Sequence, residues 1–321
     1  MSADSPLRAA DGRLRMTIRL AVGSVLIVLA SVLVALSGVS LLGSLVGEVG
    51  RGGQVVTVGV GATLGILFVA REVDHRTWSD LGLAADRRWG VDLAAGLALG
   101  ALLMTGVFVV LVGGGWARIT QVGVPDLTDW LGTLGLFLVV GFYEELFARG
   151  WLLTNVAEGF RTLGDRLATA IAVFVSAAVF GALHGANPGA TLASTLGITA
   201  AGVFLGVAYV RTTSLALPVG VHVTWNLFQG AVWGFPVSGI ATPATFVATA
   251  RSGPELVTGG SFGPEASLVG LGASVAGVFA VVAYARSLSI RLPDALAWAT
   301  TPTLLDDWLD GRARSDGDDE R

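Results

Sequence analysis

The sequence predicts an all-α fold, a polytopic bundle of about eight membrane-spanning helices with both termini in the cytoplasm. Three observations carry that prediction. Apolar residues make up 53% of the 321 residues and charged residues 14%, with a mean hydropathy of +0.72. Soluble domains carry roughly 25% charge, and no soluble fold hides so much apolar surface behind so few charges. Long uncharged runs recur along the chain, and the basic residues, all 20 of them Arg, cluster on alternate connections.

The first run, Leu20 to Gly47, is 28 residues without a charge, and the second, Gly52 to Ala70, is 19. Leu93 to Ala117 is 25 and Ala266 to Ala285 is 20. Each suffices for one helix across roughly 30 Å of hydrocarbon, which takes about 20 residues. A span beginning near Trp130 runs into EELFARG (144–150) and carries three charges within its own helical pattern. Leu167 to Val210, 44 residues, divides at the turn signal HGANPGA (184–190) into two helices. One more helix is expected at about 214–233, followed by a Pro-, Gly- and Thr-rich loop.

Sixteen Arg lie on the connections of one side of this arrangement. Three, Arg51, Arg118 and Arg251, lie on the other, and Arg149 sits within a span. That asymmetry orients the bundle and suits a multi-pass protein of the cell (plasma) membrane. The organisation expected is a cytoplasmic arm (1–17), a helix bundle (18–286) with its catalytic core at about 129–235, and an acidic cytoplasmic tail (287–321). The apolar run of the first helix is too long for a cleavable signal peptide. From Pro302 to Arg321 the tail holds seven acids and three Arg, the composition of a solvated segment.

Composition also excludes chemistries. Without Cys, disulfide scaffolds, thiol nucleophiles and Cys-ligated metals are ruled out. A net charge of −4 and the absence of a long basic cluster argue against nucleic acid as a partner. No H-E-x-x-H or P-loop pattern occurs. GGSFG (259–263) fits G-x-S-x-G, but it lies in a Gly/Pro-rich loop with no strand before it.

Ionisable groups inside a bilayer cost about 3 kcal/mol or more, so each needs a reason. Three clusters stand out: Glu144, Glu145 and Arg149 in EELFARG; Phe180 and His184 in FGALH; His222 and Asn226 in HVTWN. The remaining histidine, His75, lies in a charged loop and reads as solvated. Glu145 and Arg149 are i,i+4 and pair on one helix face, leaving Glu144 about 100° away to face something else. Phe180/His184 and His222/Asn226 are also i,i+4 pairs, and each stripe points at protein or a water-filled cavity rather than lipid.

A carboxylate, two imidazoles and an amide form a hydrolytic kit. Glu144 and His184 suit activation of a water, while His222 and Asn226 suit stabilisation of a tetrahedral oxyanion. Glu144, His184 and His222 also suit a catalytic divalent metal such as zinc with an open fourth position, and spacing leaves metal and metal-free versions both open. A ruler of about 1.5 Å per residue from cytoplasmic Arg161, Arg166 and Arg211 puts Glu144 at about 25 Å, His184 at about 27 Å and His222 at about 16 Å. Helix tilt or an amphipathic stretch at 151–166 can absorb that spread. Plainer roles exist for each group: a structural ion pair for Glu145 and Arg149, carbonyl capping for His184, packing for Phe180, and interhelical hydrogen bonding for His222 and Asn226.

The order EExxxRG, FxxxH, HxxxN on successive membrane helices resembles the CPBP family of intramembrane proteases, which includes the type II CAAX prenyl endopeptidases and the Abi or bacteriocin-immunity proteins. The resemblance covers about 129–235, and TGGSFGPE (258–265) is similar as well. It implies a multi-helix membrane endopeptidase in which Glu144 and His184 activate water. His222 and Asn226 then form the oxyanion-side pair, with Glu145 and Arg149 supporting. The implied partner is a membrane-associated protein or peptide, prenylated in the CAAX case, within the lipid bilayer. The competing readings are a catalytically idle scaffold or immunity protein, and a proton-coupled transporter. A transporter predicts inverted repeats with matching broken helices, whereas here all the polar positions lie between 144 and 226.

Overall fold

The computed structural model describes residues 7–9, 11–84, 86–288 and 302–305. It is a helical polytopic bundle. The helices are α1 (Met16–Val46), α2 (Arg51–Glu72), α3 (Arg87–Gly113), α4 (Leu127–Glu145), α5 (Thr154–Gly159), α6 (Asp165–Leu183), α7 (Leu192–Thr212), α8 (Ala216–Leu227), α9 (Glu255–Thr258) and α10 (Leu268–Ser287). α4 runs into α5 through a π-helical stretch, Leu146–Leu153, and α8 continues into another, Phe228–Val232. Seven helices among the described residues are long and apolar enough to cross a membrane, counting Leu127–Gly159 as one. The protein is therefore a multi-pass membrane protein.

The eighth expected span differs from the others. α8 is 12 residues and its π-helical extension 5, and it is enclosed by neighbours rather than by lipid. α3 and α8 approach until backbone touches backbone. A Cβ on Gly96 would lie 2.3 Å from Leu217 O, and one on Gly220 would lie 2.6 Å from Leu93 O. Thr224 Oγ1 seals the contact by donating to Leu97 O at 2.8 Å. Such small-residue contacts are how membrane helices gain dispersion energy without a hydrophobic driving force. α4 packs across α2 and α8, α6 against α7, and α10 against α7 and α3. Leu33, Leu36, Leu41 and Leu45 of α1 are more than 60% exposed, as a lipid-facing helix requires.

Two features depart from the sequence reading. A two-stranded antiparallel sheet joins β1 (Ala117–Val122) to β2 (Val247–Arg251), with a bulge between Ile119 and Gln121, on the face opposite the start of α1. The second is an ion cluster on the face that carries the start of α1. Arg13 from the segment expected to be a cytoplasmic arm and Arg19 just beyond it are each 2% exposed, and Arg76 is fully buried. All three converge on Glu158, Arg19 at 3.0 Å and Arg76 at 2.8 Å. Asp74, also buried, accepts from Trp151 Nε1 at 2.9 Å and Asn155 Nδ2 at 3.2 Å. A buried carboxylate among guanidinium groups needs this saturation, because an unpaired charge there is prohibitive.

His75, expected to be solvated, is half-buried with a left-handed backbone (φ 56°). Most of the expected acidic tail lies outside the described residues. Within 302–305, Thr303 Oγ1 donates to Asp80 Oδ1 at 2.6 Å and Leu304 N to His75 O at 3.1 Å.

Candidate active site

The three polar clusters of the sequence meet at one place. Glu144 Oε2 lies 3.9 Å from His184 Nε2 and 3.7 Å from His222 Nε2. Glu145 Oε1 accepts from His222 Nδ1 at 2.7 Å and from Arg149 Nη1 at 2.8 Å. Arg149 Nη2 in turn donates to Gly202 O on α7 at 2.9 Å. Asn226, one turn beyond His222 on α8, is buried and makes no side-chain hydrogen bond among the described residues.

The convergence needs no extreme tilt. Its explanation is that Arg211 does not mark the membrane boundary for α8. The α7–α8 turn is sunk into the protein: Leu215 and Ala216 have no exposed surface, and Leu215 N donates to Gly82 O at 3.0 Å. The loop that precedes α3 covers that turn, so His222 starts deeper than its residue count implies. The π-helical stretch supplies the other adjustment. Its wider turn keeps Arg149 on the face of Glu145 while turning Trp151, Asn155 and Glu158 toward the ion cluster, and π-bulges recur where a helix must serve two such demands.

Hydrogen bonding assigns each imidazole a form. His184 Nδ1 donates to Phe180 O at 2.8 Å, because a carbonyl can only accept; neutral His184 therefore presents a lone pair from Nε2 toward Glu144. The histidine thus caps its own helix end and faces the carboxylate at once. His222 Nδ1 likewise carries a proton, because the Glu145 carboxylate can only accept, so Nε2 of this ring donates when the ring is doubly protonated. Phe180 does more than fill space. Its ring lies 4.7 Å from that of His184, 5.9 Å edge-on from that of His222, and 4.6 Å beneath the Arg149 guanidinium carbon, a cation–π geometry.

The residue types of a three-ligand metal site are present, and both histidines have Nδ1 tied back as ligating histidines do. Their placement does not fit an ion. No group of three His, Cys, Asp or Glu among the described residues is arranged to hold one. The separations of 3.9 and 3.7 Å exceed the roughly 3.3 Å between ligand atoms of a tetrahedral zinc.

Residues 126–228 match the family model of the Rce1-like type II CAAX prenyl endopeptidases. Over that stretch the chain is similar to the CPBP family of proteases. Neither a curated protein nor a solved structure matches it. The matched stretch includes Glu144, Glu145, Arg149, Phe180, His184, His222 and Asn226.

Of two further neighbours of this constellation, Tyr143 had no signature in the sequence, and the other lies in TGGSFGPE (258–265), singled out above only for its resemblance. Tyr143 donates its hydroxyl to Glu144 Oε1 at 3.2 Å, although adjacent residues on a helix do not normally face each other. The segment before α10 also folds onto the site: Phe262, 2% exposed, packs with Phe180, Ala148 and Ile198. Glu265 anchors that segment to α8 by accepting from Gln229 Nε2 and from Ser238 Oγ at 3.0 Å. Gln229 was legible in part, since it continues the His222–Asn226 stripe at i+7.

Proposed function

We propose that the protein is an intramembrane endopeptidase of the cell membrane that cleaves membrane-associated proteins, prenylated CAAX-type segments among them, using a water activated without a metal. The observation that carries this reading is Glu144 Oε2. It is buried, makes no hydrogen bond among the described residues, and lies within 4 Å of both imidazole Nε2 atoms. A water resting on Oε2 is within reach of both rings.

In this reading Glu144 takes a proton from that water, with His184 Nε2 accepting a hydrogen bond from it, and the hydroxide oxygen bonds to the scissile carbonyl carbon. The carbonyl oxygen gains negative charge as the tetrahedral intermediate forms. His222 Nε2–H and the Asn226 amide donate to it, the term that usually contributes most to acyl transfer. The proton held by Glu144 then passes to the departing nitrogen as the C–N bond breaks, giving a carboxylic acid and an amine. Glu145 and Arg149 position His222: the carboxylate fixes the ring, and the guanidinium balances the charge while tying it to α7. The surplus of Arg on the connections nearest the termini supports an orientation with both ends in the cytoplasm.

The test compares protein termini in membranes from cells carrying wild-type protein or Glu144→Gln at matched levels, alongside purified protein assayed with and without a strong chelator. Expected are peptide ends present only in the wild type, and turnover that survives chelation. Identical terminal profiles refute the hydrolase, and activity lost to chelation and restored by zinc refutes the metal-free route.

A further inference from the structure

The reading of Glu144 as the base leaves a question of geometry, because a lone carboxylate on a helix can swing about its terminal torsions. Its two oxygens are treated differently here. Oε1 accepts from the Tyr143 hydroxyl at 3.2 Å, whereas Oε2 has no hydrogen-bond partner among the described residues. Only Oε2 faces the two Nε2 atoms, at 3.9 and 3.7 Å.

Tyr143 is itself held in place. A Cβ on Gly59 of α2 would lie 2.7 Å from the Tyr143 ring, so the ring fills the space that this glycine leaves. The ring is packed from the α2 side while its hydroxyl reaches back along α4 to the next residue's carboxylate.

We infer that Tyr143 is a positioning residue: its hydroxyl holds one oxygen of Glu144 so that the other stays aimed between His184 and His222. The inference rests on the hydrolase reading above. A hydrogen bond to one oxygen leaves the carboxylate only a narrow range of torsion, and it sets the direction from which the second oxygen meets a water. Catalytic groups lose rate steeply when such support is left out. Tyr143 touches neither the water nor the peptide in this arrangement; it acts through Glu144.

The test is Tyr143→Phe, which keeps the ring packed on Gly59 and removes only the hydroxyl. Purified wild type, Tyr143→Phe and Glu144→Gln are assayed in the same proteoliposomes, with an internally quenched peptide ending in a prenylated cysteine and three further residues. The expected result for Tyr143→Phe is kcat lower by roughly 10-fold, as a hydrogen bond to a charged group warrants, with KM and melting temperature unchanged. Glu144→Gln abolishes turnover in the same assay. Unchanged kcat in Tyr143→Phe, or a rise in KM with kcat retained, overturns the inference and leaves the hydrolase standing. A lowered melting temperature in step with kcat overturns it too, since it makes the tyrosine structural. Wild-type protein without turnover overturns both.

Discussion

Glu144 and Glu145 are neighbours with opposite relations to the fold, and isosteric amide substitution separates them. Glu145 has no exposed surface, and its Oε1 takes two hydrogen bonds, from Arg149 at 2.8 Å and His222 at 2.7 Å. Arg149 is equally enclosed, and its other hydrogen bond is to Gly202 O. Glu145→Gln therefore leaves a buried guanidinium whose carboxylate partner is gone. Breaking one side of a buried pair costs about 3–5 kcal/mol. Because Gln keeps the shape and one acceptor, the low end, about 3 kcal/mol, is expected. At roughly 2 °C per kcal/mol for a chain of this size, the melting temperature falls by about 6 °C. Glu144 holds one long hydrogen bond, from Tyr143, and the two nearest imidazole nitrogens lie at 3.7 and 3.9 Å. Glu144→Gln is therefore expected within about 1 kcal/mol of wild type, with activity lost. Thermal unfolding in one detergent, followed by the fluorescence of the nine Trp, measures both. Equal losses in the two variants, or a Glu145→Gln shift below 1 °C, would refute the division of roles.

Two further outcomes concern regions away from the reacting groups. Burial pushes the Glu265 carboxyl above its ordinary range, against the hydrogen bonds it accepts from Ser238 and Gln229. A raised carboxyl contributes stability below its unfolded value of 4.5 that is lost as pH rises through the folded value. Glu265→Gln should accordingly gain melting temperature relative to wild type between pH 5 and pH 8, and a difference that does not change with pH would count against this account. Arg13→Ala removes a buried cation that bonds Glu158, Asp11 (2.7 Å) and Asp74 O (3.1 Å). Glu158 keeps Arg19 and Arg76, so the expected loss is about 2 kcal/mol. Exposed Arg87→Ala serves as the control, and equal melting temperatures in the two variants would mean that the arm contributes nothing to the fold.

The sequence by itself determined the class of the protein and the short list of polar groups that the fold brings together. Hydropathy sufficed for the spans because lipid demands about 20 apolar residues wherever a helix crosses, and seven helices satisfy that demand. Glu144, Glu145, Arg149, His184, His222 and Asn226 were legible because each is costly in hydrocarbon, and i,i+4 spacing told which of them share a stripe. The Glu145–Arg149 pair followed from that spacing alone.

Other features belong to the tertiary structure. Whether the clusters meet depends on how deep the α7–α8 turn sits, and a loop some 130 residues earlier in the chain covers that turn through Gly82. The bond from His222 to Glu145, the packing of Phe180 against three charged or polar groups, and the reach of Tyr143 back to Glu144 all depend on side chains brought together from separate helices or turned by packing. The same holds for Arg13, one of the basic residues of the arm, which is buried against Glu158. Local pattern reports what a residue costs in its surroundings; which partner repays that cost is set by packing between segments far apart in the chain.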